Sequence, residues 1–307
     1  MAIVPTASVV PRLALAAQRR PWAAALALAA VLLKVRIVGL AVFTGVVAAY
    51  VAARGQVAPA DVLLFALAGT LGAGGAAVLN HYLDRDLDAR MARTRRRPLP
   101  AGQMPAAAAL LLGLGLLGLA LPLALAVHPT LPLFIGAGAV VYVGVYTWWL
   151  KRRTPHSVVL GGWTGSCAVL GGWAMTGAPL TPAAWALALV VFFWTPPHFW
   201  GLALVRGADY RAAGIPTLPA VAGEAATARA IALGAALTLG ASLAPWLTGD
   251  LGLLYGLVAL AGGGLFLARS LALCRRVSLG LAWHTYKLSG LHLLALFVAA
   301  LVDVAAR

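Results

Sequence analysis

Acidic residues are almost missing from this chain: of 307 residues only eight are Asp or Glu, and charged residues of either sign make up 10%. That scarcity excludes the charge-dressed surface of an ordinary soluble protein, and a globule of this size cannot hide a content of 62% hydrophobic residues. Cysteine is scarcer still. Cys167 lies in an apolar run and Cys274 beside Arg275 and Arg276, with no CxxC or metal-ligand spacing. A disulfide framework and a zinc site are therefore not expected, and both thiols are left to packing. No Ser/His/Asp or Cys/His arrangement offers an activated nucleophile. The formal charge of +15 does not point to nucleic acid as a partner, because the Lys and Arg punctuate apolar runs and form no patch on a polar surface.

What is abundant is apolar length. At about 17 to 25 residues per span, the sequence predicts an all-α polytopic membrane protein with nine transmembrane helices, near 37–53, 61–81, 105–126, 130–150, 157–176, 182–204, 227–246, 251–268 and 286–304. With the N-terminus inside, all but Arg54 and Arg307 of the 23 Lys and Arg fall in cytoplasmic segments, which predicts an N-in, C-out topology. Arg12, Arg19 and Arg20 open this inside set. Arg19, Arg20 and the apolar run 21–33 have the look of a signal peptide, but no persuasive cleavage site follows and Lys34 and Arg36 interrupt the run. The run is read as an interfacial lead-in continuous with the first span, giving an N-terminal cytoplasmic or interfacial segment 1–36 and a transmembrane domain 37–307. The glycine pairs Gly74-Gly75, Gly161-Gly162 and Gly171-Gly172 read as close helix approaches.

Three of the eight acids crowd into "DRDLD", Asp84 to Asp88, followed at once by a run of arginines. On a helix Asn80, Asp84 and Asp88 form one polar stripe rising about 6 Å per step, while Asp86 faces away toward the loop arginines. Two readings fit the residues alone. The arginines neutralise the acids in a solvated loop, or the stripe holds Mg²⁺, a hard cation that takes one or two carboxylates and completes its shell with water and phosphate oxygens. In the second case the arginine forks suit the phosphate.

The stretch "NHYLDRDLDARMARTRRRPLP" (80–100) resembles the NxxxDRDxDxxMxRTxxRPxP motif of the protohaem IX farnesyltransferases, or haem O synthases, within the UbiA superfamily of intramembrane prenyltransferases. "LLKVRI" (32–37), "YTWWLKRRTP" (146–155), "FFWTPPHFWGLAL" (192–204) and "DYRAAGIPTLP" (209–219) resemble further family segments in the same order, and the likeness covers roughly 30–304. It departs from the family pattern at Val35, at His156-Ser157 and at Ala168-Val169, and a second DxxxD is absent because Ala213 stands four after Asp209.

The resemblance implies a UbiA-type bundle in the bacterial cytoplasmic (inner) membrane with its site toward the cytoplasm. It implies transfer of a farnesyl group from farnesyl diphosphate to a vinyl group of protohaem IX, with Mg²⁺ as cofactor, and it raises a haem A synthase as a protein partner. Residue by residue, Asn80, Asp84, Asp88 and Asp209 would be the catalytic and metal-binding set. Arg93, Arg97, Lys151 and Arg152 would take the diphosphate. His198, Trp200 and Arg36 would meet the haem.

On the residues alone, Lys151 and Arg152 are equally positive-inside anchors, and the place of Lys34 is open. Pro196 and Pro197 predict a kink or break whose freed carbonyl His198 could bond in place of any haem. The rival readings are a related prenyltransferase acting on a quinone precursor or chlorin, and a transporter with an ion site.

Overall fold

The computed structural model describes residues 21–306, and every regular element among them is a helix. Residues 1–20 and 307, and with them Arg12, Arg19, Arg20 and Arg307 of the charge map, lie outside the described residues. The lead-in does not run on into the first span. It forms α1 (Pro21–Leu32), and Lys34 then takes a left-handed conformation at φ 50°, turning the chain before α2 (Val35–Ala52) begins.

The long elements follow as α3 (Pro59–Arg90), α4 (Ala106–Val127) and α5 (Leu131–Leu150). The short α6 (Ser157–Gly161) and α7 (Trp163–Ala174) come next, then α8 (Pro182–Val205), α9 (Gly207–Ala212) and α10 (Leu218–Val221). The chain ends in α11 (Gly223–Leu247), α12 (Leu253–Arg275) and α13 (Leu279–Ala305). Among the described residues, eight helices are long and apolar enough to cross a membrane: α2, α3, α4, α5, α8, α11, α12 and α13. The remaining predicted span, 157–176, is split at Gly162, so neither α6 nor α7 alone reaches that length. Both glycines sit at close approaches: a Cβ on Gly162 would lie 3.1 Å from the Phe192 carbonyl oxygen, and one on Gly161 would lie 2.9 Å from the Tyr146 ring.

Of the kink or break expected at Pro196-Pro197, the break does not occur, for α8 passes through both prolines. The Thr195 hydroxyl bonds the Val191 carbonyl at 2.8 Å, and the Pro197 ring fills the space opposite Gly234 of α11. Elsewhere α2 lies on α7, α3 on α4, and α8 on both α11 and α13. Large apolar side chains such as Leu111, Leu133 and Trp148 stay exposed on the outer faces, as a lipid-facing surface requires.

At the end opposite the acidic stripe, the buried Asp303 of α13 accepts from the backbone N–H of Gly252 at 2.6 Å and of Tyr255 at 3.2 Å, capping the start of α12 from outside. Asp303→Ala orphans both donors and is expected to cost about 0.5–2 kcal/mol. A thermal scan in detergent reads this as a lowered midpoint, with Asp303→Asn, which keeps an acceptor oxygen, closer to wild type.

Candidate active site

The site forms where α3 outruns the bilayer. Its 32 residues span about 48 Å, against about 30 Å of hydrocarbon, so the last turns stand at a membrane edge. The predicted stripe is there and faces inward: Asn80, Asp84 and Asp88 are all at least 97% buried, while Arg85 and Asp86 between them are exposed.

Each member of the stripe is held by a residue brought from elsewhere. Asn80 Oδ1 accepts from Lys34 Nζ at 2.5 Å, and Asn80 Nδ2 donates to Asp84 Oδ2 at 2.8 Å and to Thr147 Oγ1 at 2.9 Å. Lys34 also donates to the Tyr142 hydroxyl at 2.8 Å. Lys151 Nζ reaches the same Asp84 Oδ2 at 2.5 Å. Tyr142 and Thr147 come from the end of α5, where Val140–Leu150 is wound as a π-helix, and Lys151 caps it. In that wider turn residues four and five apart share a face. The steps from 142 to 147 to 151 are of that size, and the Lys151 N–H bonds the Tyr146 carbonyl, five residues back, at 2.9 Å. An ordinary α-helix would keep Thr147 and Lys151 on one face, four apart, but would turn Tyr142 about 140° or more away from both.

One turn further along α3, Arg97 Nη1 donates to both Asp88 oxygens at 2.8 and 3.1 Å. Thr94 ties its hydroxyl to the Asp88 carbonyl at 3.0 Å and so folds the loop back over the helix end. Asp209 of α9 accepts from the Ala92 N–H at 3.1 Å, and Leu87, Met91, Ala203, Tyr210, Ala213 and Ile215 form one cluster beneath. The segment after α8 thus joins the loop after α3. Arg93 is exposed on the same loop and its charge is felt at Lys34 and Tyr210.

Other expected members lie elsewhere. Arg152 does not join the stripe: its guanidinium grips Asp86 with two bonds of 2.7 Å and the Leu83 carbonyl at 2.8 Å, on the exposed side of α3. Arg36 is exposed, because the turn at Lys34 aims position 34 inward and leaves position 36 outside. Trp200 is 8% exposed and packs with Val158, Leu204, Leu218 and Ile231, its indole N–H without a partner. Residues two apart on a helix face different ways, so Trp200 cannot share a surface with His198. His198 bonds no freed carbonyl. Its Nδ1 lies 2.7 Å from the Ser289 hydroxyl of α13.

Two buried carboxylates meet Lys34, Lys151 and Arg97, with Arg93 near. Burial pushes Lys34 down to about 7, Arg97 adds to that push, and Asp84 and Asp88 oppose it. Among the described residues no three His, Cys, Asp or Glu side chains converge on one point. Asp84 Oδ1, however, is buried with no hydrogen-bond partner at all. An orphaned carboxylate oxygen beside an amide oxygen and a second carboxylate is a donor set that suits a hard divalent cation, and the surrounding cations suit the phosphate oxygens such a metal carries.

Residue-type reasoning underweighted Lys34, and it overlooked Tyr142 and Thr147. Only position within the "LLKVRI" and "YTWWLK" stretches could have raised Lys34 and Thr147, since neither carries a spacing signal of its own.

Comparison with known proteins bears on this geometry. The family described as "UbiA prenyltransferase family" matches residues 41–299. Protoheme IX farnesyltransferase of Roseiflexus castenholzii is 44% identical over 273 residues, covering 89% of this chain and 51% of that protein. The enzyme of the same name from Symbiobacterium thermophilum is 42% identical over 276 residues, covering 89% and 92%. This chain spans about half the length of the Roseiflexus and Thermus thermophilus relatives, 51% and 45%. Among solved structures, a UbiA homolog from Aeropyrum pernix K1 superposes with a TM-score of 0.72 at 18% identity, covering 88% of this chain and 98% of that one. A UbiA homolog from Archaeoglobus fulgidus bound to GPP and Mg2+ gives 0.64 at 18% identity, covering 89% and 99%.

Proposed function

This chain belongs to the UbiA prenyltransferase family, and from that premise we propose that it transfers the farnesyl group of farnesyl diphosphate to a vinyl carbon of protohaem IX, with addition of water, to give haem O. The observation that carries this reading is the stripe itself. Asp84 keeps one buried oxygen unpartnered while Lys34, Lys151 and Arg97 stand around it. Relatives named for this reaction support the choice of substrates.

Asn80, Asp84 and Asp88, with Asp209 across the loop, would hold Mg²⁺, which when bound supplies Lewis-acid neutralisation of the departing diphosphate. Lys34, Lys151, Arg97 and Arg93 take the diphosphate oxygens and stabilise the charge that develops as the allylic C–O bond breaks. Tyr142 and Tyr146, stacked 6.0 Å apart with ammonium groups over their rings, turn π-faces toward a positive centre. The apolar walls keep water from the farnesyl cation until the vinyl group attacks it. Water then adds at the porphyrin-side carbon and loses its proton.

The family fold and eight span-length helices make this an integral membrane protein. Its membrane is the bacterial cytoplasmic one in this reading, N-in and C-out, with the stripe toward the cytoplasm. Support comes from the basic residues: those of 85–97, 151–153 and 206–229 flank the stripe's end of the helices, while Arg54 lies at the other. A haem A synthase would consume the product; among the described residues no surface is marked out for it.

The test is direct. Purified protein is given farnesyl diphosphate, Mg²⁺ and haem, and the products are separated by chromatography and weighed. Farnesylated hydroxyethyl haem is expected, and prenylation of a quinone precursor or chlorin in its place would overturn the choice of acceptor. Lys151→Ala is expected to lower the rate on the order of a hundredfold. Arg152→Ala breaks only an exposed pair, worth about 0.2–1 kcal/mol, and should leave the rate within a few-fold of wild type in the same assay.

A further inference from the structure

A row of rings between α8 and α13 takes no part in holding the diphosphate. Trp194 and His198, one turn apart on α8, stack with centroids 4.3 Å apart at 25°. Tyr286 of α13 covers the other face of the imidazole at 4.4 Å and 33°. Tyr286 in turn stacks on Trp283 at 5.2 Å, and Lys287 Nζ stands 5.7 Å over the Trp283 ring. Trp194, His198 and Tyr286 are half-buried, and Trp283 and Lys287 are exposed. The row therefore leads from the bundle interior to its surface at the start of α13.

With both ring faces covered, the imidazole can act only through its edge. Ser289 settles which nitrogen is free. The Ser289 hydroxyl donates its one proton to the Tyr286 carbonyl at 2.7 Å, so at its 2.7 Å contact with His198 it can only accept. Nδ1 is then the protonated nitrogen and the lone pair sits on Nε2. Nε2 makes no hydrogen bond and is not among the sealed, unpartnered atoms. The same residue steadies the next ring, since the Ser289 carbonyl accepts from Trp194 Nε1 at 2.8 Å. The backbone beside Gly290 closes off the Cε1 corner, where a Cβ would lie 3.7 Å away. An imidazole anchored through Nδ1–H with Nε2 offered edge-on is how metal-ligating histidines are held.

We infer that this row is the acceptor seat: His198 Nε2 ligates the iron of a planar metalloporphyrin, Ser289 fixes the tautomer, and Lys287 at the surface end pairs with the porphyrin's carboxylate arms. The inference rests on the proposed acceptor and adds to it the liganding atom and three residues, Tyr286, Lys287 and Ser289, that the donor side does not use.

The test needs no prenyl donor. The full chain in detergent is titrated with protohaem IX and, separately, with metal-free protoporphyrin IX, followed by absorbance and magnetic spectra. Wild type is expected to give a histidine-ligated iron spectrum. His198→Ala loses that signature, regains it with added imidazole, and leaves metal-free porphyrin binding unchanged, which also shows the variant is folded. Ser289→Ala weakens haem binding on the order of tenfold while sparing the metal-free form, and Lys287→Gln weakens both porphyrins alike. An unchanged iron spectrum in His198→Ala, or equal loss of both porphyrins, overturns the seat. If that happens while wild type still farnesylates haem, the reaction stands without this seat. Haem ligated through His198 with no farnesylated product has the opposite meaning.

Discussion

Asp84→Asn is expected to reduce farnesyl transfer on the order of a hundred- to a thousandfold while leaving the protein folded. The substitution keeps the side chain's size and one acceptor oxygen for Lys151 and the Asn80 amide, so the packing around position 84 survives. What disappears is the negative charge and the one oxygen of this side chain that is buried with no partner within the protein. Asp84→Ala is a harsher change, because Lys151 is left largely buried with no counter-charge, and loss of a buried partner costs about 3–5 kcal/mol. The measurement is product formation against Mg²⁺ concentration, with elution from a sizing column as the fold control. If Asp84→Asn turns over at the wild-type rate, the stripe is not the diphosphate end of the site.

The second large effect falls on folding. Gly172→Val is expected to yield no monodisperse protein, because α2 and α7 meet there backbone on backbone. A Cβ at position 172 would run into the Gly45 carbonyl, and one at Gly45 would lie 2.7 Å from the Ala168 carbonyl oxygen. Neither helix can yield without separating a core that includes Val47, Ala48, Val51, Val169, Leu170 and Trp173. Gly115→Ala is the contrast: nothing lies within 4 Å of its added carbon, so recovery and thermal midpoint should match wild type or exceed it slightly. Equal recovery of both variants would show that this helix contact is far more elastic than the geometry allows.

The difference between those two glycines marks how far the sequence could be read. Eight of the expected spans correspond to continuous helices, because a long apolar run has few other ways to satisfy its backbone in lipid. The acidic stripe was legible for a similar reason, since the i, i+4, i+8 spacing is a property of the helix alone. Residues whose place depends on a second element were not legible. Lys34 and Arg36 are two apart with the same charge, and only the left-handed turn at 34 decides which points inward. Arg152 and Lys151 are adjacent and both basic, yet one faces Asp84 and the other Asp86. His198 and Trp200 share a signature stretch, but the helix sends one to the row of rings and the other into the core. The prolines of α8 carried a strong local signal, yet they do not break the helix, and the notch at Gly234 receives the Pro197 ring.

The π-wound end of α5 has a bearing on what kind of change this protein tolerates. Substitutions on its exposed side, at Trp148 or Trp149, alter only what the lipid meets. Removing one residue between 143 and 146 is different in kind. With the wide winding kept, every side chain past the deletion would swing by roughly 80°. Lys151 would leave Asp84, and Thr147 would leave Asn80, with no side chain of the site itself altered. The phase of this whole edge of the site is kept by chain length alone, so a deletion that a residue-by-residue comparison would score as trivial should silence the protein.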